Sequence, residues 1–251
     1  MSSGKQFTLH GGVTGPNPLK VAVVLEELGL EYDVVNINIR AGEQKNPEYL
    51  KLNPNGRVPT LVDHSNGDFT IWESDAILLY LVERYDKEHK LSVADADEKF
   101  KLIQWLFFQA SGQGPYFGQA VWFMRYHHER LPSAVERYHK EILRVLGVLE
   151  TVLSKQEWLV GGKLTVADIS FITYVLARAV WPERKHGTHR RCSWNQMAIG
   201  WGLEGVEGGD VQKEFPNVYK WHQKLVSRPI VRKFLDIQAE AFRKLSESQA
   251  K

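Results

Sequence analysis

The sequence predicts a two-domain α+β protein, with an α/β N-terminal domain followed by an all-helical C-terminal domain. Over the first eighty-odd residues, short strand-like segments alternate with helix-like ones, a pattern typical of α/β layers. The stretch from Lys87 to Asp97 is charged and lacks hydrophobic periodicity, and the periodic segments after it are helical. We therefore expect an α/β domain over residues 1–87 and an all-α domain over residues 92–251.

The N-terminal domain is expected to run strand, helix, strand and then strand, strand, helix. Phe7 to Leu9 is β-prone, and Asn17 followed by Pro18 is typical of a helix N-cap and its first turn. That helix shows one apolar stripe and ends at Gly29. The remaining predicted elements are strands at Tyr32–Ile39, Val58–Val62 and Phe69–Trp72, a hairpin turn at 65–68, and a helix from Ser74.

In the C-terminal domain, one helix start has a strong local signal. Thr165 and Asp168 have the spacing of a capping box, with Leu164 placed as a hydrophobic staple. The helix that follows, from Val166 to about Val180, is too apolar for a surface position and is predicted to form the buried centre of the domain. A segment near 182–210, rich in glycine and with basic residues, is predicted to be a surface insertion.

Composition excludes several classes of protein. The single cysteine rules out a disulfide scaffold, a cysteine-rich zinc module and a CxxC dithiol catalyst. A net charge of +2 gives no reason to expect a nucleic-acid partner. The N-terminal residues lack the apolar core of a secretory signal, and no apolar run is long enough to cross a bilayer, so we expect a cytoplasmic protein with no membrane association.

The junction of the first loop and helix is a candidate site for an anion. A helix N-terminus offers unpaired amides and the positive end of the helix dipole, which also favours the ionised form of a thiol. No cysteine lies there, so a thiolate would have to come with a ligand. The side chain of Asn17 can donate to such a sulfur, or it can simply cap the helix, and the local sequence leaves both roles open.

Two further segments suggest recognition of a peptide. A cis peptide bond before Pro59 would leave the amide and carbonyl of Val58 facing outward for an extended peptide, although a proline on an edge strand explains the sequence equally well. Ser74 with the following amides can bind a carboxylate, and Glu73 can accept from an ammonium group. Taken separately, a serine and a glutamate in the positions of Ser74 and Glu73 are more often a capping serine and a solvated glutamate.

Taken together, these segments carry a family resemblance. The segments are Thr14–Lys20, Asn53–Leu61, Glu73–Ile77, Trp105–Gln109 and Thr165–Ile169. In them the chain resembles the cytosolic glutathione transferases, which join a thioredoxin-like N-terminal domain to a helical C-terminal domain. Within that family it is similar to the fungal nitrogen-regulator class and its bacterial disulfide-reductase relatives, which carry Asn where other classes place a catalytic Tyr, Ser or Cys. The resemblance runs from Phe7 to about Leu245, apart from the predicted insertion.

The resemblance implies a role for each of these site residues. Asn17 would be catalytic, donating a hydrogen bond to the glutathione thiolate, with Thr14 as a second donor. The backbone of Val58, beside a cis-Pro59, would pair with the cysteinyl unit of glutathione. Glu73 and Ser74 would hold the γ-glutamyl end. Gln44 matches a position that contacts the glycine end in relatives, and Arg137 matches an arginine that approaches the bound peptide in the bacterial relatives.

A second, apolar substrate is expected between the domains, a common location for pockets. The predicted lining residues are Tyr116, Phe117, Trp122 and Phe123, each of which is equally consistent with a core position. The resemblance also implies a homodimer. His186, His189 and Cys192 have a spacing used by metal ligands, but without a second ligand pair we expect no metal.

The sequence therefore predicts a glutathione transferase that conjugates electrophiles or reduces hydroperoxides or disulfides, with glutathione as its co-substrate. The alternative is a non-catalytic carrier or regulatory module that binds glutathione or apolar ligands. The fungal nitrogen regulator carries an Asn/Gln-rich segment ahead of the shared fold. No such segment precedes the first predicted strand in this sequence, which favours the enzyme.

Overall fold

The N-terminal domain is built on a four-stranded mixed sheet. The computed structural model describes residues 4–172 and 209–248. The strands are β1 (Phe7–His10), β2 (Tyr32–Val35), β3 (Thr60–Asp63) and β4 (Phe69–Trp72). Their order in the sheet is β2-β1-β3-β4, with β1 parallel to β2 and antiparallel to β3, and β4 antiparallel to β3.

Three helices complete this domain, α1 (Pro16–Glu27), α2 (Pro47–Leu52) and α3 (Ser74–Tyr85). α1 packs beside α3, and both contact the sheet. The order β-α-β followed by β-β-α is the predicted thioredoxin-like arrangement, which is confirmed. β2 is shorter than predicted because its partner β1 ends at His10, which pairs with Val35. A 3-10 turn follows at Ile39, where the side chain of Asn38 accepts a hydrogen bond from the Ala41 amide at 3.2 Å.

α1 is buried on all sides, whereas the sequence predicts a single apolar stripe. Leu19 and each residue of 21–25 are 0% exposed. The reason is that α1 contacts β1 and α3 on one side and helices of the C-terminal domain on the other. The hydrophobic core is therefore continuous across the two domains.

The C-terminal domain is helical wherever the structure describes a regular element in it. Its helices are α4 (Ala96–Phe108), α5 (Gly114–Arg125), α6 (Pro132–Leu153), α7 (Val166–Ser170), α8 (Val211–Glu214), α9 (Pro216–Val226) and α10 (Pro229–Ser248). A five-residue π-helical segment, Gln109–Gln113, joins α4 to α5. The stretch 86–95 between α3 and α4 contains no helix or strand, and the domain boundary predicted there stays a prediction.

The capping box that starts α7 is present as predicted. The Thr165 amide donates to Asp168 Oδ2 at 2.9 Å, and the Thr165 side chain accepts a hydrogen bond from a backbone amide in the first turn of α7. The whole of 166–172 is buried. The rest of the predicted helix to Val180, and the predicted insertion apart from its last two residues, lie outside the described residues.

Helices long and apolar enough to cross a membrane are absent from 4–172 and 209–248.

Candidate functional site

The loop Asn53–Pro59, which we call the cis-proline loop, is the centre of the candidate site. The peptide bond between Val58 and Pro59 is cis, as predicted. β3, which follows directly, pairs with both β1 and β4. Pro59 therefore precedes an inner strand, and the alternative explanation of a proline on an edge strand is wrong.

Side-chain hydrogen bonds fix the shape of the cis-proline loop. Asn53 is 1% exposed, and its Nδ2 donates to the Arg57 carbonyl at 2.8 Å. The Tyr49 hydroxyl donates to the same carbonyl at 2.6 Å. The Asn55 amide donates to Asn53 Oδ1 at 3.0 Å. These hydrogen bonds, from within the loop and from Tyr49, hold the backbone on either side of Val58 in place.

The prediction that Asn17 is the N-cap of α1 is wrong. The N-cap is Gly15, with extended backbone angles, and Pro16 occupies the first helical position. Proline is favoured there because its fixed φ suits the helix and its missing N–H has no partner in any case. Asn17 is the second residue of the helix, within the turn whose amides lack intrahelical partners.

The loop before α1 packs directly against the cis-proline loop. Gly11 has φ of 130°, and a Cβ atom at this position would lie 3.0 Å from Val58 Cβ and 3.1 Å from Pro18 Cγ. Only glycine fits both the backbone conformation and the contact. From the C-terminal domain, Gln238 Nε2 donates to the Thr14 carbonyl at 2.6 Å. The start of α1 is thus held beside Val58.

The start of α3, at Glu73 and Ser74, is the next segment connected to the cis-proline loop. Glu73 is the N-cap of α3, with φ of 68° and ψ of 112°, and makes no side-chain cap hydrogen bond. Ser74 is the first helical residue, so the alternative of a capping serine is wrong. Asn55 Nδ2 donates to Glu73 Oε1 at 3.3 Å, which joins the two segments.

Gln44 lies in a short 3-10 turn against the same loop. A Cβ atom on Gly56 would lie 2.9 Å from the Gln44 carbonyl oxygen. Lys45 Nζ donates to the Asn55 carbonyl at 3.2 Å. The side-chain oxygen of Gln44 is buried and has no hydrogen-bond partner among the described residues. Gln44 thus lies beside the cis-proline loop, and its contact with the glycine end stays a prediction.

The structure thus gathers most of the predicted glutathione-binding residues around one loop. Val58 and Pro59 belong to the cis-proline loop, and Gln44 and Glu73 lie against it. Thr14, Asn17 and Ser74 lie on the segments that lead to or from these contacts. Arg137 is different, since it is exposed in the second turn of α6, and no described contact connects it to the loop. The ligand contacts of all these residues stay predictions.

The predicted lining residues for a second substrate divide into two groups. Phe117 is 0% exposed and belongs to the hydrophobic core, so the structure supports the core alternative for it. The other three, Tyr116, Trp122 and Phe123, are partly or largely exposed along α5. Phe123 stacks on Tyr138 of α6 with ring centroids 5.6 Å apart.

A buried polar cluster beside the site was missed by the sequence reasoning. Lys20 Nζ donates to Asp75 Oδ1 at 2.6 Å and to Gln109 Oε1 at 2.9 Å. Burial lowers the pKa of Lys20 and raises that of Asp75, and the charge of each partner opposes the shift of the other. The available signal was a lysine within the otherwise apolar segment 18–25.

In the part of the chain that the structure describes, no group of three or more His, Cys, Asp or Glu side chains could hold a metal ion. The candidate triplet His186, His189 and Cys192 lies outside the described residues.

Comparison with known proteins identifies the two domains separately. Residues 5–83 match the family model "Glutathione S-transferase, N-terminal domain". Residues 114–184 match the model "Glutathione S-transferase, C-terminal domain". The chain is also 50% identical, over 226 residues, to glutathione S-transferase 1 of Schizosaccharomyces pombe, covering 89% of this chain and 93% of that protein.

Solved structures from Phanerochaete chrysosporium are similar over nearly the whole chain. Glutathione transferase URE2P6, in complex with oxidized glutathione, has a TM-score of 0.81 and 52% identity, covering 96% of this chain and 99% of that one. Ure2p5, crystallised with 1-(S-glutathionyl)-2,4-dinitrobenzene, has a TM-score of 0.78 and 48% identity, covering 96% and 97%. With both domains matched and the cis-proline loop in place, the chain belongs to the glutathione S-transferase family and lies among its fungal Ure2-like members.

Proposed function

We propose that this protein is a glutathione transferase in which Asn17 and the N-terminus of α1 stabilise the thiolate of glutathione for attack on an electrophile. The observation that carries the proposal is the meeting of three segments at the cis-proline loop. They are the start of α1, which reaches Val58 through Gly11, the cis-proline loop itself, and the start of α3, which is joined to the loop through Glu73.

Each segment suits one part of the tripeptide. The amides and dipole at the start of α1 favour a negative sulfur, and the Asn17 side-chain amide can donate to it. An extended cysteinyl unit can pair with the Val58 backbone. The carboxylate of Glu73 suits the γ-glutamyl ammonium, and Ser74 with the α3 amides suits its carboxylate. Gln44, in the 3-10 turn beside Gly56, is assigned to the glycine end.

The proposed reaction begins when the thiol loses its proton to solvent. In conjugation, the thiolate forms a carbon–sulfur bond and the electrophile expels its leaving group. In peroxide reduction, the thiolate attacks one peroxide oxygen and the O–O bond breaks, which leaves a sulfenic acid on glutathione and releases an alcohol after protonation. The thiol of a second glutathione then displaces the hydroxyl group as water and gives oxidized glutathione. Donors preorganised on the sulfur are typically worth a few kcal/mol in such a transition state.

Cys192, the single cysteine of the sequence, lies outside the described residues, and the proposal assigns the reacting sulfur to glutathione. Two ligands of the relatives support the range of reactions. Oxidized glutathione in the URE2P6 structure suits disulfide or peroxide reduction. The dinitrobenzene conjugate in the Ure2p5 structure suits conjugation.

A homodimer is part of the proposal. Phe100 and Phe107 on α4 are 72% and 68% exposed. Seven residues correspond to about two helical turns, so both rings lie on the same face. Large exposed apolar surface of this kind is typical of a protein interface, and we assign it to a second copy of the chain. A cytoplasmic location is also proposed, because the reaction consumes reduced glutathione.

The test is turnover with glutathione and two second substrates, 1-chloro-2,4-dinitrobenzene and cumene hydroperoxide. We expect wild-type protein to turn over at least one of them and Asn17→Ala to lose about 100-fold in kcat/KM, the effect of removing one preorganised donor. Asn46→Ala, at the N-cap of α2, is the matched control and should behave as wild type. Binding to a glutathione column without turnover of any electrophile would favour a carrier.

A further inference from the structure

The Lys20 ammonium is buried next to the proposed glutathione site. Its side chain is 1% exposed and lies within hydrogen-bond distance of one carboxylate, that of Asp75, and one amide oxygen, that of Gln109. Lysine is almost never fully buried unless it is paired, and taking an ammonium out of water is strongly unfavourable. A leucine or methionine would fill the same space without that penalty. Packing alone therefore does not explain the charge.

The three members of this cluster come from three different parts of the site. Lys20 follows Asn17 by three residues in α1, which places both on one side of the helix about a turn apart. Asp75 directly follows Glu73 and Ser74 in the first turn of α3. Gln109 begins the π-helical segment of the C-terminal domain. The Lys20 ammonium therefore links α1 to the start of α3 and to the π-helical segment.

The backbone at the start of α3 has to be held in place by contacts of this kind. The backbone of Glu73, with φ of 68°, is in a region that residues other than glycine rarely adopt and that persists only where neighbouring contacts hold it. On one side, Asn55 holds the Glu73 carboxylate. On the other, Lys20 holds Asp75, two residues along the chain.

The same ammonium also contacts the segment that leads to the predicted second-substrate pocket. Gln109 Nε2 donates to Gln113 Oε1 at 2.9 Å, and Gln113 is 0% exposed. Single π-helical turns inside α-helices are rare and are frequently found at functional sites. This one ends where α5 begins, two residues before Tyr116.

We propose that Lys20 is a positioning residue, which through Asp75 and Gln109 holds the γ-glutamyl anchor at Glu73 and Ser74 in register with Asn17 and with the start of α5. The inference rests on the roles proposed above for Asn17, Glu73 and Ser74. Lys20 acts through its two partners, and its loss should weaken glutathione binding even where the fold is intact.

The test uses S-methylglutathione, which retains the γ-glutamyl group but has no thiol, with binding measured by calorimetry. The main variant is Lys20→Met/Asp75→Asn, which removes both charges at nearly constant volume. We expect it to melt within a few degrees of wild type and to bind the probe at least tenfold more weakly. Lys20→Met alone, which leaves Asp75 unpaired, should show the same loss of binding with a lower Tm.

Arg228→Met is the matched control. Arg228 pairs with Glu27 at 2.9 Å, at the opposite end of α1 from Asn17. Its loss should lower Tm without changing the affinity for S-methylglutathione. Should both Lys20 variants fail to fold, Gln109→Met leaves the ion pair intact and removes only the contact with the π-helical segment. It should then weaken probe binding at least threefold.

Two results would overturn the role of Lys20 while leaving the glutathione site in place. One is a folded Lys20→Met/Asp75→Asn protein that binds S-methylglutathione within twofold of wild type. The other, where only Gln109→Met folds, is unchanged binding by that variant. Asn17→Ala should bind the probe normally while losing turnover, so failure of the thiolate role has a different signature. Wild-type protein that does not bind S-methylglutathione would overturn the glutathione site itself, and the role of Lys20 with it.

Discussion

At the scale of single residues, the site depends on side chains whose neighbours are distant in sequence. Asn17 could be placed near a helix start from the sequence, but two prolines flank it, and the structure uses the first of them, Pro16, as the start of the helix. Lys20 could not be assigned, because its partners lie 55 and 89 residues away along the chain. Local patterns place a residue within a residue or two of its position in an element, but they do not reveal what it contacts.

Gly11 gives a prediction at this scale. In Gly11→Ala the new methyl group would press on Val58 and Pro18, and the positive φ adds backbone strain. We expect a loss of about 1 to 3 kcal/mol in stability and a rise of severalfold in KM for glutathione, because Val58 would move. Steady-state kinetics with a thermal melt measure both.

Gly29→Ala is the control for Gly11→Ala. Gly29 also has a positive φ, of 68°, but a Cβ atom there meets nothing within 4 Å. It should lose stability with unchanged KM for glutathione. Equal KM values for the two variants would contradict the assigned contact between Gly11 and Val58.

At the scale of elements, the sequence predicts well where the signal is local. The capping box of Thr165 and Asp168 is present because its hydrogen bonds join residues three apart. The local sequence signal does not reveal that Asp168 Oδ1 also accepts hydrogen bonds from the Leu159 amide and from Trp221 Nε1 of α9. Likewise, one side of α1 could be predicted as apolar, but its burial on the other side comes from α7 and α10.

α9 carries a histidine that should affect acid stability. His222 is 1% exposed, and burial lowers its pKa to about 3. Between pH 6.5 and 3 the unfolded chain therefore holds a proton that the folded chain does not, so folding stability falls as pH falls. The slope is at most about 1.4 kcal/mol per pH unit.

The His222 effect should be measured as a difference between wild type and His222→Gln. Burial raises the pKa of Asp168 to about 6, so its contribution to stability falls as pH rises and opposes the His222 effect in wild-type data. In denaturant titrations, the stability advantage of wild type over His222→Gln should shrink by about 1 to 2 kcal/mol between pH 7 and pH 5. A constant difference would show that His222 is not buried in its neutral form.

At the scale of the whole molecule, the two domains share one core, and charged contacts also cross between them. Arg228 and Lys233 of the C-terminal domain pair with Glu27 and Glu26 at the end of α1. Gln238 of the C-terminal domain donates a hydrogen bond to the loop that precedes α1. An α/β domain followed by a helical domain could be predicted from element order, and the thioredoxin-like arrangement from the family resemblance. The contacts between domains could not, because they join residues about 200 apart.

Oligomeric state gives a prediction for the whole molecule. Phe100→Glu/Phe107→Glu places two charges on the exposed face of α4 and should convert the proposed dimer to a monomer, as measured by sedimentation or light scattering. The matched control is Val35→Glu/Ile237→Glu, which alters two other exposed apolar side chains, each 41% exposed. It should stay dimeric. A wild-type monomer, or an α4 variant that stays dimeric, would contradict this assignment.

The central claim is that Asn17 and the start of α1 stabilise the thiolate of bound glutathione. It is tested most directly by titrating the ultraviolet absorbance of that thiolate against pH in wild type and in Asn17→Ala. We predict that the wild-type complex ionises well below the ordinary thiol pKa of about 8.5 and that the variant ionises at a clearly higher pH. Identical titration curves, with both proteins saturated with glutathione, would contradict the claim.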